Sequence, residues 1–496
     1  MKRKRINILL VTVMSLVALF GITVGTVSAV GTDEFDVVLQ AAIANNGAVP
    51  ALGLTSDVAL NTLLTDADPS NDPLIVDLRT ADEYANGHII GSINVHYRTL
   101  GDAAVISGLN AALAAHIANG GANSIVSYGN EHHFKVFAQY LYIQGLPAKS
   151  LSHGLAGWTK NTVAAPNRYK RCTTFDALGH GIAPAGCNTN DFPVTAPYDY
   201  ANYDDAALRS GEGYPNVDCI SGPVTAADLP EITRCTFSAM YGNPANPEYQ
   251  ITAATVYDML DDNQDGCMAC AGDDLSNDPF VLSNRGSLWN MPTCTKPGPD
   301  LERGHIPGVV SVDWCFGPSR MELKTLQNTD FMPVNDLVVH HCWVGQSQMY
   351  GAAWYHLLGY TAISMDWGIN SWTDDDYVRQ AVINEIQYVS DLVVEAYADV
   401  KVMPTTLNTR SKGDYVTAVI KLPAGYDNTI IDISTVKLNG TLSAVSGSST
   451  VDSVTVKFNR AAVGGIVSPG ANTMTVTGSS TDGKLIFVGS SIMNVQ

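Results

Sequence analysis

The chain has 496 residues, enough for several domains that each bury a core of their own. Its 48 acidic and 28 basic residues give a formal net charge of −20, and a surface of that sign repels nucleic acid and anionic lipid headgroups. Hydrophobic residues make up 46% of the chain, which excludes a largely disordered protein. We therefore expect a globular protein of several domains without a nucleic-acid partner.

The N-terminus has the pattern of an export signal. Four basic residues, Lys2–Arg5, precede an apolar run from Ile6 to about Val24, and Val27–Ala29 supplies the small residues that a signal peptidase needs. The pattern predicts a signal peptide over residues 1–29, a periplasmic or extracellular location, and no membrane span after signal removal. An uncleaved anchor is the alternative, because the apolar run approaches membrane-spanning length.

Strand and helix patterns alternate along the first part of the chain. A capped amphipathic helix begins near Thr55, and apolar runs at 73–79 and 124–129 are typical of buried strands. Residues 82–94 give a short helix, a glycine turn and a further strand. This alternation predicts a parallel α/β sheet.

The same order of patterns returns about 200 residues later, which indicates an internal duplication. The second copy has a helix at 251–260, a charged strand at 280–285, a glycine turn at 303–310, and a strand at 338–342 that is followed by a helix. Its closing segment, 366–372, matches the Gly-Trp ending of the first copy.

Four motifs in order, present twice, resemble the rhodanese homology domain. They are a strand that ends in Asp-x-Arg, a Gly-His-Ile-x-Gly turn, a strand followed by a loop and a helix, and a closing Gly-rich segment with Trp. The first copy has Asp77 and Arg79 at the strand end, and the second has Ser283 and Arg285. The resemblance covers about half of the chain.

The resemblance implies an α/β fold of two rhodanese-like, three-layer, parallel-sheet domains. We place these domains at residues 36–165 and 248–390, with a Cys-containing connector at 166–247 packed across both. The family pattern puts the catalytic cysteine at the end of a strand, before a loop and a helix, where the first copy has Gly129. The first domain is therefore implied to be a silent scaffold, and the second to carry the nucleophile, Cys342.

The C-terminal part changes in composition. Residues 397–496 are rich in Val, Thr, Ser and Gly, with short alternating runs and no cysteine or histidine. Regularly spaced strands without helices predict a β-sandwich, for which adhesion, surface attachment and structural support all remain open.

Cys342 lies where a strand pattern changes into a helix pattern. The unpaired N–H groups and positive dipole of a helix N-terminus stabilise a thiolate or a persulfide there. The alternative is a buried, inert cysteine. Arg285, by the family pattern, ends a strand near the loop and is a candidate substrate-binding residue, with a fold-holding bond to a carboxylate as the favoured role. The predicted persulfide-binding loop consists of Trp343, Val344, Gly345, Gln346 and Ser347.

Two histidines precede the cysteine on the strand. His340 and His341 are predicted to point to opposite faces of the sheet. Either could adjust the pKa of the thiolate, and packing is the alternative role. His305, in the glycine turn of the second copy, is expected to tie backbone together rather than to act in catalysis.

The remaining cysteines suggest a disulfide framework. In an oxidising compartment eight of the nine cysteines can form four disulfides and leave Cys342 free, although spacing does not fix the connectivity and a metal site stays open for some of them. The eight are Cys172, Cys187, Cys219, Cys235, Cys267, Cys270, Cys294 and Cys315.

One segment resembles the start of a Ca²⁺-binding loop. Asp261, Asn263 and Asp265 alternate as oxygen ligands would, but Gly272 stands where the bidentate Glu should be. An Asp- and Asn-rich turn is the favoured interpretation. No cofactor is predicted.

The length and charge of the loop bear on the substrate. Phosphatases related to this fold need Cys-x₅-Arg, whereas Gln348 is the sixth residue after Cys342. Trp343, Val344 and Gln346 are neutral, so the loop offers no cation to a thiosulfate sulfonate. An apolar loop suits polysulfide or an organic persulfide.

The sequence thus predicts an exported, thiosulfate sulfurtransferase-like (rhodanese) enzyme that acts on a small sulfur-containing substrate. Sulfane sulfur would pass from thiosulfate, polysulfide or a persulfide to a thiophilic acceptor through a Cys342 persulfide. Two alternatives are a sulfur carrier without turnover beside an electron-transfer system, and a disulfide-stabilised surface structural protein. No protein partner is predicted.

Overall fold

The structure is a computed structural model. It describes residues 37–38, 54–130, 135–151, 154–165, 174–175, 181–182, 219–220, 224–242, 250–261, 278–283, 305–307, 309–311, 336–341, 352, 355–365, 368–373, 391–411 and 413–496. The predicted signal peptide lies outside these residues. Among the residues described, no helix combines the length and apolar character needed to cross a bilayer.

The first α/β unit is built on a five-stranded parallel sheet. Its spatial order is β1-β5-β4-β2-β3, so β4 is central. The strands β2 and β4 are buried on both faces, as their continuous apolar runs predict. The strands are β1 (Leu54–Thr55), β2 (Leu74–Asp77), β3 (Ile93–Asn94), β4 (Ile125–Tyr128) and β5 (Ala148–Leu151).

The helices of the first unit begin at strong capping residues. Ser56 accepts a hydrogen bond from the backbone N–H of Ala59, and Thr80 and Glu83 form a reciprocal capping box. Short 3₁₀ helices cover Pro69–Asn71 and Tyr97–Thr99. The α-helices are α1 (Asp57–Thr65), α2 (Ala81–Asn86), α3 (Ala103–Ala118), α4 (Lys135–Ile143) and α5 (Gly154–Trp158).

A second α/β unit repeats this sheet. Its order is β10-β9-β11-β12-β8, and all of its pairs are parallel. When β8 to β12 are matched with β1 to β5 in chain order, this is the order of the first sheet. Described helices are α7 (Ala253–Leu260) and the 3₁₀ turn Gly368–Ser371. The strands are β8 (Gln250–Ile251), β9 (Phe280–Ser283), β10 (Val310–Ser311), β11 (Val338–His341) and β12 (Ala362–Met365).

Turns that enter β5 and β12 have matching backbone hydrogen bonds. Gly145 and Gly359 both have positive φ, 86° and 95°, and each closes the preceding helix. The next residues, Leu146 and Tyr360, each donate to the carbonyl five positions earlier at 3.0 Å. The two units therefore share local geometry as well as strand order.

Helix α6 (Leu229–Tyr241) lies between the two α/β units. It follows the 3₁₀ turn Ala226–Asp228, and a Cys219–Cys235 disulfide fixes it to the preceding chain. Phe237 stacks on Tyr140 of the first unit with ring centroids 4.1 Å apart. Apolar residues of both sheets and of α6 form one buried cluster. One of the four predicted disulfides is thus present; the others lie outside the described residues.

The C-terminal part, residues 391–496, is rich in β-structure. A mixed six-stranded sheet has the order β13-β22-β21-β17-β18, with β15 also paired to β22, and an antiparallel four-stranded sheet has the order β14-β16-β20-β19. Helix α8 (Arg460–Gly464) and the 3₁₀ turn Asn428–Ile430 connect strands. The strands are β13 (Val394–Tyr397), β14 (Asp399–Met403), β15 (Thr406–Leu407), β16 (Tyr415–Lys421), β17 (Ile431–Leu438), β18 (Leu442–Ser443), β19 (Ser446–Ser449), β20 (Val454–Asn459), β21 (Gly470–Ser480) and β22 (Leu485–Val495).

A separate hairpin, between the two α/β units in the sequence, pairs β6 (Thr174–Phe175) with β7 (Gly181–Ile182).

The β-rich part shares its core with the first α/β unit. Ile75 and Val126 of the first sheet belong to the same buried cluster as the inner faces of both C-terminal sheets. The Trp158 indole N–H donates to the Val393 carbonyl at 2.9 Å, and His88 and Glu395 exchange two backbone hydrogen bonds at 2.9 Å. The C-terminal part is therefore joined to the first unit through a continuous core.

Truncation of the aromatic centre of α6 should destabilise the protein. Phe237 is 1% exposed, so Phe237→Ala should lower the free energy of unfolding by about 3–5 kcal/mol, measured by urea denaturation. Ile117 is 42% exposed, and Ile117→Ala should change it by less than about 1 kcal/mol. Equal losses in the two variants would show that α6 is not part of the common core.

Candidate functional site

The central strand of the second sheet leads directly to the predicted nucleophile. Strand β11 lies between β9 and β12, and its last residue, His341, immediately precedes Cys342. Ligand sites of parallel α/β sheets lie beyond the carboxyl ends of such strands. The predicted site residues Cys342 to Ser347, and Arg285, lie outside the described residues, so their roles stay predictions.

The side chains of β11 alternate between two buried faces. Val338 belongs to the cluster that includes α6, and Val339 belongs to the cluster on the opposite face. Strand geometry places His340 on the face of Val338 and His341 on the face of Val339. Both histidines are 0% exposed, so each is enclosed by the fold.

His340 is a buried imidazole without a hydrogen bond. Neither its Nδ1 nor its Nε2 has a partner, and its ring lies 4.9 Å from the ring of Tyr355 between centroids. Burial lowers the pKa of His340 to about 3, because no water stabilises the charged form. The imidazole is therefore neutral near pH 7 and supplies no positive charge to a thiolate.

His356 contacts α6 from the second unit. Its ring stacks on Tyr241 with centroids 4.8 Å apart, and its Nδ1 donates to the Ala362 carbonyl at 3.2 Å. Burial lowers the pKa of His356 to about 4, against a weaker opposing effect of that hydrogen bond. This neutral histidine belongs to the packing between α6 and the second unit.

In the first unit, the strand-end charges form a closed network. The Arg79 guanidinium pairs with Asp77 at 2.6 Å, and both side chains are 0% exposed. It also donates to the carbonyls of Gly87 and Ala164, at 2.6 and 2.8 Å. Arg79 thus has a structural role in the first unit, and Ser283 takes the position of Asp77 in the second sheet.

The loop after β4 is occupied by the protein's own backbone. The Gly129 carbonyl accepts from the backbone N–H of Leu155 at 2.8 Å, and the Asn130 carbonyl accepts from that of Ala156 at 2.8 Å. The Asn130 amide donates to Glu83 at 2.6 Å. With Gly129 in place of a cysteine, this end of the first sheet has no thiol and cannot form a persulfide.

The other predicted ligands are only partly within the described residues. Asp261 is buried and its carboxylate accepts a hydrogen bond from the Tyr257 hydroxyl, while Asn263 and Asp265 lie outside those residues. Within the part of the chain that the structure describes, no three His, Cys, Asp or Glu side chains form a cluster able to hold a metal ion. His305 is buried in its turn.

The sequence does not predict helix α6, which falls in the predicted connector. Phe237 and Tyr241 stand four positions apart, as residues on one face of a helix do, and Thr225 with Asp228 forms a capping box just before the helix. These signals are present in the sequence but stand within a Pro- and Gly-rich segment. His340 could be placed on a face from strand alternation, although its lack of a hydrogen bond could not be predicted.

Comparisons with known proteins agree with the first unit. A model of the rhodanese-like domain matches residues 60–161, so the chain contains one rhodanese-like domain there. This match supports a sulfurtransferase-type function in general terms. No curated protein matches the chain.

Some solved structures resemble the chain at low identity. EanB in complex with ergothioneine is 14% identical, with 68% of this chain and 98% of that chain covered and a TM-score of 0.18. The anaerobic ergothioneine biosynthesis enzyme from Chlorobium limicola is 14% identical, with 65% and 97% covered and a TM-score of 0.19. YnjE is 15% identical, with 65% and 66% covered and a TM-score of 0.21. Such scores carry no information about substrate.

The neutral state of His356 predicts a loss of stability in acid. Below the ordinary histidine pKa of 6.5, the unfolded chain binds a proton at His356 that the folded chain does not bind. The stability contributed by the neutral His356 is therefore complete above about pH 6.5 and declines as the pH falls towards 4. At pH 5 this loss should lower the free energy of unfolding by about 2 kcal/mol. His356→Phe should remove that part of the pH dependence in urea denaturation at pH 7 and 5. An unchanged pH dependence would contradict a neutral His356.

Proposed function

We propose that the chain is an exported sulfurtransferase whose second α/β unit is a rhodanese-like domain with Cys342 as its persulfide carrier. The observation that carries the proposal is the shared strand order of the two sheets, because β11 then corresponds to β4 of the matched rhodanese-like domain. Cys342 follows β11 as Gly129 follows β4. The matching backbone hydrogen bonds in the turns at Gly145 and Gly359 support the same correspondence.

The proposed reaction is a double displacement at sulfur. The Cys342 thiolate attacks the outer sulfur of a polysulfide, forms the persulfide Cys–S–S⁻, and releases a polysulfide that is one sulfur shorter. A thiophilic acceptor such as cyanide then attacks the outer sulfur, leaves as thiocyanate, and regenerates the thiolate. Thiosulfate would react in the same way and release sulfite.

Electrostatics favours polysulfide or an organic persulfide over thiosulfate as the donor. Trp343, Val344 and Gln346 are neutral, and the nearby His340 is held neutral by burial. A sulfonate is bound best by charged donors such as a guanidinium. A polysulfide chain has more apolar surface and places less charge on each sulfur atom, so it suits such surroundings better.

The rest of the chain would then have structural roles. In the proposed layout, residues 36–165 form a silent rhodanese-like domain, 166–247 a connector, 248–390 the active domain and 397–496 a β-sandwich. The closed network around Arg79 and the absence of a thiol at Gly129 support the silent role. The core that the C-terminal sheets share with the first unit favours a structural role for the proposed β-sandwich.

Replacement of the nucleophile tests this function. Cys342→Ser should abolish loading by polysulfide, seen in the wild-type protein as a mass gain of one sulfur atom on the peptide that contains Cys342. It should also abolish thiocyanate formation from thiosulfate and cyanide. The urea midpoint of the variant should match that of the wild type, which controls for folding.

Other outcomes would change the assignment. Loading of Cys342 without any turnover to cyanide or thiol acceptors would indicate a sulfur carrier rather than an enzyme. Full activity in Cys342→Ser, or a permanent disulfide at Cys342 in the active protein, would overturn the proposal.

A further inference from the structure

Two buried polar side chains lie together on the α6 side of the second sheet. His340 on β11 and Tyr355 on the following helical segment are both 0% exposed, and their ring centroids are 4.9 Å apart. Within the described part of the chain, neither ring nitrogen of His340 has a hydrogen-bond partner, and the Tyr355 hydroxyl has none either. We call these two residues the His340–Tyr355 pair.

Such a pair weakens the folded state, because each group gave up hydrogen bonds to water and gained none. Two other buried tyrosines of the described residues are satisfied: the hydroxyl of Tyr140 donates to the Leu100 carbonyl at 3.0 Å, and that of Tyr128 accepts from the backbone N–H of Ile89 at 3.0 Å. Phenylalanine at position 355 would fill nearly the same volume without the cost. Retained polar atoms of this kind are typical of functional sites.

The chemistry of the pair limits what it can bind. Burial keeps His340 neutral and raises the pKa of Tyr355, so the pair offers one imidazole N–H and one phenol O–H as donors and carries no charge. Among the described residues, Tyr355 belongs to a buried apolar cluster with Val338 and Leu358. Two neutral donors among apolar walls suit a soft, weakly hydrated anion, and they suit a doubly charged oxyanion poorly.

We propose that the His340–Tyr355 pair is a binding site for the hydropolysulfide anion that donates sulfur to the second unit. The inference rests on the proposed function, since Cys342 follows His340 by two positions. Both groups are shielded from water. The pair would then act in donor selection, as binding residues rather than as the nucleophile or its base.

Tyr355→Phe tests the assignment because it deletes one hydroxyl and nothing else. With sodium tetrasulfide as the probe, we expect KM for Cys342 loading to rise about tenfold, the loss of one hydrogen bond to an anion, with little change in kcat. With thiosulfate as donor, both constants should stay within about twofold. The urea midpoint of Tyr355→Phe should equal or exceed that of the wild type, because an unpaired hydroxyl has been removed.

Tyr140→Phe is the matched control in the first unit. Its hydroxyl is hydrogen-bonded, so this variant should lose stability and keep both activities unchanged. A tetrasulfide KM in Tyr355→Phe equal to that of the wild type, an equal loss with both donors, or a loss of stability like that of Tyr140→Phe would overturn the assignment. If Cys342→Ser is inactive while Tyr355→Phe is unaltered, only this inference fails; activity in Cys342→Ser would instead remove the proposed function.

Discussion

A parallel sheet is stable in water only when both of its faces are covered, and the arrangement of this chain follows from that constraint. One face of each α/β sheet packs into the cluster around α6, so the connector holds the two units together. The other face of the first sheet packs into a cluster that contains its own helices α1 and α5 and the C-terminal sheets. The second sheet covers its own other face with α7 and Trp372. Each part of the chain thus supplies a surface that another part lacks.

The docking of the C-terminal sheets explains the state of the first unit. The hydrogen bonds from Trp158 and at His88 fix the β-rich part against the segments that surround Arg79. The Tyr426 hydroxyl donates to the Asn86 carbonyl at 2.8 Å on the same side. A groove at this end of the sheet would leave those apolar and polar groups without partners. Closure of the first unit and attachment of the C-terminal part are therefore one structural feature.

The sequence was sufficient for the features that depend on local pattern. Apolar runs such as 124–129 and the capped helix start near Thr55 predict strands and a helix of the first unit, and the match at 60–161 confirms a rhodanese-like domain. Contacts between residues that are far apart in the chain could not be predicted from the sequence. The contact of His340 with Tyr355 depends on how a strand and a helix from different segments pack, and the role of α6 depends on two sheets that meet only in the fold.

The two α/β units share a strand order, and they differ between the Arg79 network of the first unit and the His340–Tyr355 pair of the second. In the first, Asp77, Arg79 and Asn130 satisfy one another and neighbouring carbonyls, so their burial costs little. In the second, His340 and Tyr355 are equally buried and unsatisfied. The chain can bear this difference because the cores shared through α6 and the C-terminal sheets stabilise both units. The first unit then contributes stability, and the second unit retains polar groups that its own packing does not require.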